Sequence, residues 1–171
     1  EISNLCEKYN ANLIVDEAHA TGIFGQKGKG LVVQLNLQSK VFARVVTFGK
    51  ALGTHGAIIL GSENLRNYLI NFARSFIYTT AAPIHSIVAV NCAYQKLLET
   101  NFAQEITEKI ELYNTLIKQI KIPVISSHSA IQTILFHNNA DARNAALQLQ
   151  NKGFDVRAIL SPTVAVGKER L

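Results

Sequence analysis

An amine, a carboxyl and an imidazole, each placed where an apolar run gives out, are the chemically competent groups of this 171-residue chain. The run Asn12-Leu13-Ile14-Val15 ends in Asp16-Glu17-Ala18-His19. A second run, Arg44-Val45-Val46-Thr47-Phe48, leads into Gly49-Lys50-Ala51-Leu52-Gly53. A lysine amine condenses with a carbonyl carbon, and a protein can make it nucleophilic by lowering its pKa. A carboxylate can keep a pyridine nitrogen protonated, so that the ring takes up electrons. An acid and an imidazole at one strand end and a lysine at another are what a pyridoxal 5'-phosphate (PLP) site needs. Thr47 adds a hydroxyl for a phosphate oxygen, and Gly49 lets the backbone approach closely.

Each feature has a plainer reading. A lone acidic cluster is ordinarily a solvated strand end, and a lone lysine an ordinary surface lysine. The letters Asp16-Glu17-Ala18-His19 also spell the magnesium box of helicase-type ATPases. That reading wants a phosphate loop G-x-x-x-x-G-K-[ST]. Neither Gly28-Lys29 nor Gly49-Lys50 fits it, and the second strand ends in Thr-Phe-Gly-Lys where a helicase shows Ser-Ala-Thr. The conjunction of Asp16, His19 and Lys50 favours the cofactor. A non-catalytic remnant of the same fold has no need of those three side chains together. His55, His85, His128 and His137 lack metal-ligand spacing, so no metal is expected. The glycines from Gly25 to Gly30 are spaced too loosely for a phosphate cradle and read as a flexible loop. Tyr78-Thr79-Thr80 reads as a turn before a helix start.

The elements that must hold these groups follow from periodicity. Residues 2–10 read as the end of an amphipathic helix and 12–16 as a buried strand. Residues 43–48 and 56–61 are mostly apolar, as in parallel or mixed sheets covered on both faces. Ser62 is placed to cap a helix carrying Leu65, Tyr68, Leu69, Phe72 and Phe76. Pro83 opens a helix through Leu98, with Ile84, Ile87, Val88, Val90 and Tyr94 expected inward. A further helix carries Ile106, Ile110, Tyr113, Leu116, Ile117 and Ile120. Beyond Pro123 the pattern turns to a smaller α/β unit: a strand over 131–137, a helix over 141–152 stopped by Gly153, and a strand over 154–160. The fold class is therefore α/β. Residues 1–110 form half of a large domain with a mixed, mostly parallel sheet, and 111–171 a small α/β domain.

Composition narrows the setting. The chain is 48% hydrophobic and 17% charged, enough to bury a core. No apolar run could span a bilayer, so no membrane partner is expected. Cys6 and Cys92 stand far apart, and two unpaired thiols suit a reducing, cytoplasmic setting. The net charge is +5, but the basic residues are scattered and no basic block alternates with aromatics, so no nucleic acid is expected. A basic surface equally suits an anionic cofactor or an acyl-CoA. The chain opens on Glu1 inside a helical pattern and stops as a new run begins, which reads as a piece of a larger protein.

With these residues in hand, the chain resembles the α-oxoamine synthases, PLP enzymes of fold type I. The resemblance rests on Val15 through Gly22, on Gly25, Gly28 and Gly30, on Thr47 through Gly53, on Ile77-Tyr78-Thr79-Thr80-Ala81, and on Ser161-Pro162-Thr163-Val164. Their order and spacing hold across nearly the whole chain. The resemblance implies that Lys50 forms the Schiff base and moves the proton at the substrate α-carbon. Asp16 matches the partner of the pyridine nitrogen, His19 the residue bonded to the ring 3-hydroxyl, and Ala18 the residue packed on a ring face. Thr47 matches a phosphate contact. Thr79 and Thr80 match residues that reach the phosphate of a neighbouring subunit's cofactor, in a homodimer with shared sites. Thr163 matches a substrate contact in the small domain. Within the family, Gly53-Thr54-His55-Gly56-Ala57 favours the branch that condenses L-alanine with a pimeloyl thioester, carried by CoA or an acyl-carrier protein. The glycine C-acetyltransferase branch is the alternative. The family's carboxylate-binding arginine would follow Arg170-Leu171, so the 171-residue chain by itself is expected to be inactive.

Overall fold

A computed structural model describes residues 1–171. The chain divides into two compact units, Glu1–Ile106 and Thr107–Leu171, the division falling inside one helix.

The first unit is built on a three-stranded sheet in the order β1-β2-β3. Strand β1 (Ile14–Asp16) runs parallel to β2 (Ala43–Thr47), and β3 (Ala57–Gly61) returns antiparallel to β2. The sheet is therefore mixed, and the parallel pair sets both C-terminal ends on one edge. Helix α1 (Ile2–Lys8) precedes β1. The expected strand at 12–16 shortens to three residues, and Ile14 is exposed. Between β1 and β2 the glycine-rich segment is an ordered turn: a 3-10 turn at Gln26–Gly28 leads into the short helix α2 (Leu31–Gln34). Val32, Ala43, Val46 and Leu52 form the buried apolar centre of this unit.

Helix α3 (Glu63–Phe72) begins where expected, because the Ser62 hydroxyl accepts the Leu65 N–H at 3.2 Å. After α4 (Arg74–Ile77), α5 (Ile84–Glu99) starts directly after Pro83. Its apolar stripe is real, but only part of it is covered. Leu97 is half-buried and lines a cavity with Val46 and Leu60 of the sheet; Tyr94 and Leu98 reach the same cavity but stay exposed, as do Ile84, Ile87 and Val88. The expectation that all five apolar residues point inward is thus corrected: Ile84, Ile87, Val88 and Tyr94 are exposed, and Val90 is half-buried.

Helix α6 (Phe102–Ile117) carries the division, and Ile110 is its buried residue. In the second unit, β4 (Val124–Ile125) pairs antiparallel with β5 (Thr133–Ile134), and α7 (Asn139–Gln150) follows. The Asn138 side chain accepts the Asp141 N–H at 2.8 Å and starts α7. Ala142 and Ala146, one turn apart, are its buried face. The strands expected over 131–137 and 154–160 are much reduced. The first keeps only Thr133–Ile134 with a bridge at Leu135, and the second only a bridge from Ile159 to Arg170. Apolar runs alone do not make strands where too few backbone partners lie alongside. No helix is long and apolar enough to cross a membrane.

Candidate active site

The parallel register decides which candidate groups meet. Ile14, Val15 and Asp16 lie opposite Ala43, Arg44 and Val45. Residues paired in register project to the same face, and successive residues alternate. Asp16 therefore shares a face with Val45 and Thr47. Glu17 turns to the other face, with Arg44 and Val46. The ladder extends one step past β1, since the Glu17 N–H donates to the Val45 carbonyl at 2.8 Å.

Immediately beyond, the backbone tightens. The Ala20 and Thr21 N–H groups both donate to the Glu17 carbonyl. This turn carries Ala18 and His19, and it leaves the His19 ring exposed. One carboxylate oxygen of Asp16, Oδ1, accepts the Ala18 N–H at 2.8 Å. Oδ2 makes no hydrogen bond and is open to accept one.

Lys50 sits in the loop joining β2 to β3. Its carbonyl accepts the Gly53 N–H at 2.9 Å, while Phe48 N–H donates to Gly56 and Thr54 N–H to Phe48. The loop is thus tied at three points and holds the Lys50 side chain exposed on the edge where β1 also ends. The Thr47 hydroxyl lies between the Gly56 carbonyl and the Gly49 N–H, 3.4 Å from each.

Thr79 and Thr80 lie at the exposed turn after α4, and the Thr79 hydroxyl donates back to the Ser75 carbonyl. No hydrogen bond joins either to Asp16, His19 or Lys50. Thr163 belongs to the second unit, in an exposed turn fastened to α7 where the Asn139 Oδ1 accepts the Ser161 N–H at 2.9 Å.

The residues that reading the sequence passed over are Glu17 and Arg44. Glu17 is only 1% exposed. Its Oε1 accepts the Val32 N–H at 2.8 Å, and its Oε2 accepts Arg44 Nε and also pairs with Arg44 Nη2. Arg44 Nη2 donates in addition to the Lys29 carbonyl at 2.8 Å. The signal was present: an arginine inside an apolar strand is costly to bury unless a carboxylate faces it. Nothing in the sequence said which carboxylate.

Two cavities flank the sheet. The larger, about 630 Å³, opens toward the N-terminal end of β1 and β2, among Leu13, Gln38, Lys40 and Phe42; Arg44 lines it, but Asp16, His19 and Lys50 do not. The smaller, about 240 Å³, lies beneath α5 and is mostly apolar. Burial at its rim pushes the Tyr94 phenol up from its ordinary pKa, with Arg44 opposing. The C-terminal edge of the β1–β2 pair, although it is no deep pocket in this chain, carries both Asp16 and the Lys50 loop. No cluster of potential metal ligands is present.

The donor set suits PLP: an exposed primary amine, a carboxylate with a free oxygen, and an exposed imidazole on one sheet edge. The family model of class I and II aminotransferases matches residues 1–171, and the chain belongs to that family of PLP-dependent α/β enzymes. Among curated relatives, it is 40% identical over 169 residues to the 8-amino-7-oxononanoate synthase of Emericella nidulans, covering 95% of this chain and 41% of that protein. It is 35% identical over 172 residues to the enzyme of the same name from Alcanivorax borkumensis, covering 100% and 45%. The chain thus spans less than half the length of these relatives. Among solved structures, the 8-amino-7-oxononanoate synthase of Francisella tularensis superposes with a TM-score of 0.86 at 28% identity, over 99% of this chain and 50% of that one. A serine palmitoyltransferase from Sphingomonas wittichii superposes at 0.90 with 21% identity, over 99% and 43%, a likeness of fold.

Proposed function

We propose that the protein carrying this chain is an α-oxoamine synthase that joins L-alanine to a pimeloyl thioester of CoA or acyl-carrier protein. The products are 8-amino-7-oxononanoate, CO2 and the free thiol carrier, a step of biotin synthesis. The observation that carries this reading is the parallel β1–β2 register, which gathers Asp16, the His19 turn and the Lys50 loop on one edge. The two synthase relatives, at 40% and 35% identity, support the substrate class.

When bound, PLP supplies a conjugated ring that accepts the electron pair left at the amino-acid α-carbon. Residues of this chain would contribute the following parts of the site. Lys50 Nζ would hold the cofactor and would move the proton at the α-carbon of alanine. Asp16, whose Oδ2 is open, would hold the proton on the pyridine nitrogen. His19 hydrogen-bonds the ring 3-hydroxyl, and Ala18 covers a ring face. Thr47 meets a phosphate oxygen. Thr79 and Thr80 reach the phosphate of a partner's cofactor in a homodimer, and Thr163 contacts substrate.

The test is borohydride trapping in the complete gene product. Wild type develops a visible PLP band, and reduction attaches the cofactor covalently to Lys50, as peptide mass spectrometry reads. Lys50→Ala shows neither. Assays with alanine or glycine against acyl-CoA of different lengths then separate this activity from glycine C-acetyltransferase. Wild type without a Lys50-dependent band would sink the reading.

A further inference from the structure

We infer that the buried Glu17–Arg44 pair is a positioning device that holds Asp16, His19 and the Lys50 loop in mutual register. The inference rests on the PLP reading above and adds residues to it that touch neither cofactor nor substrate.

Asp16 and Glu17 are neighbours on opposite faces of the sheet, so whatever fixes Glu17 fixes the backbone that aims Asp16. Glu17 is held from three sides: its N–H by the Val45 carbonyl, its Oε1 by the Val32 N–H, and its Oε2 by Arg44. Arg44 is itself a residue of β2, three positions before Thr47. The pair therefore ties the end of β1 to the strand that leads into the Lys50 loop.

The same carboxylate closes the intervening segment. Residues 17–32 leave β1 and return to it, with the Val32 N–H and the Lys29 carbonyl both bound to the pair. Gly30 passes so close that a Cβ there would lie 2.6 Å from one Glu17 oxygen. Inside this closed segment, the Gly22 N–H donates to the Gly28 carbonyl. Gly22 in turn abuts Ala51, the residue after Lys50. A carboxylate buried to this degree is costly to leave unpaired, so the arrangement is held as a unit.

Glu17→Gln keeps the shape and removes the charge. Arg44→Lys keeps the charge and removes the planar fork that binds Glu17 and Lys29 together. Both variants are made in the complete gene product. Three quantities are read: PLP affinity by absorbance titration, the pH midpoint of the bound-cofactor band at saturating PLP, and the urea midpoint of the PLP-free protein. The expected result is a PLP Kd raised about 10–100-fold, the scale of residues that orient a site's direct ligands. The midpoint of the band also moves, because Asp16 no longer meets the ring nitrogen squarely. Arg44→Lys, which retains one contact, lies between wild type and Glu17→Gln.

If both variants lose urea resistance but show the wild-type band midpoint and Kd, the pair merely stabilises the fold and the inference is overturned. If Glu17→Gln does not fold, Arg44→Lys decides by the same readings. A wild-type protein without a Lys50-dependent band removes the PLP reading and this inference with it. A normal wild-type band beside unchanged variants removes this inference alone.

Discussion

Gly22 and Ala51 touch: a Cβ built on Gly22 would lie 2.5 Å from the Ala51 Cβ, and Gly22 sits at φ +86°. One residue follows the His19 turn and the other follows Lys50. This contact is where the two halves of the candidate site lean on each other. Any side chain at position 22 is opposed twice, by the left-handed backbone and by the neighbouring methyl.

Gly22→Ala is therefore expected to destabilise the protein by about 2–4 kcal/mol, combining backbone strain with overpacking. It also displaces the Lys50 loop, so PLP retention falls beyond what the loss of stability explains. Urea unfolding with and without PLP separates the two. If Gly22→Ala is as stable as wild type, the close contact is not present in solution.

Asp16→Asn keeps the size of the side chain and removes its charge. Oδ1 can still accept the Ala18 N–H, so the turn persists. On the PLP reading proposed above, the pyridine nitrogen would lose its anionic partner. On the scale of losing one preorganised electrostatic contact, kcat falls on the order of 10²–10³-fold while borohydride still traps PLP on Lys50. Full activity in Asp16→Asn would take Asp16 out of the site.

The two capped helices give a test of local structure in each unit. Ser62 accepts the Leu65 N–H at the start of α3, and Asn138 accepts the Asp141 N–H at the start of α7. Ser62→Ala and Asn138→Ala should each cost about 1 kcal/mol, read as a lowered urea midpoint at unchanged slope. An unaltered midpoint in either variant means that cap is not formed.

Lys40 holds the Glu7 carboxyl below its ordinary pKa, first through a hydrogen bond at 2.9 Å and then through charge. A depressed acid contributes stability that is present above its unfolded pKa and lost as pH falls through the folded one. Both side chains are exposed, so the effect is small and fades in salt. Lys40→Met returns Glu7 to the ordinary carboxylate range, as an NMR titration of its side chain at low ionic strength would show. A Glu7 midpoint indifferent to Lys40 contradicts the ion pair.

The sequence by itself determined the chemical inventory. Asp16, His19 and Lys50 are of types few purposes require together, and each follows an apolar run whose end is a local property. Ser62 and Pro83 announced helix starts because capping and proline geometry act within a few residues. The tertiary structure decided everything that needs a distant partner. Two adjacent acids, Asp16 and Glu17, look alike in sequence. Strand register sends one to the open edge and buries the other against Arg44, 27 residues away. The apolar runs at 131–137 and 154–160 read as strands, but strand formation needs backbone partners alongside, and the chain supplies few there. Likewise the α5 stripe was legible as a stripe, while which of its residues become covered depended on where the sheet lies. Chemical type is written locally; face, burial and pairing come from the fold.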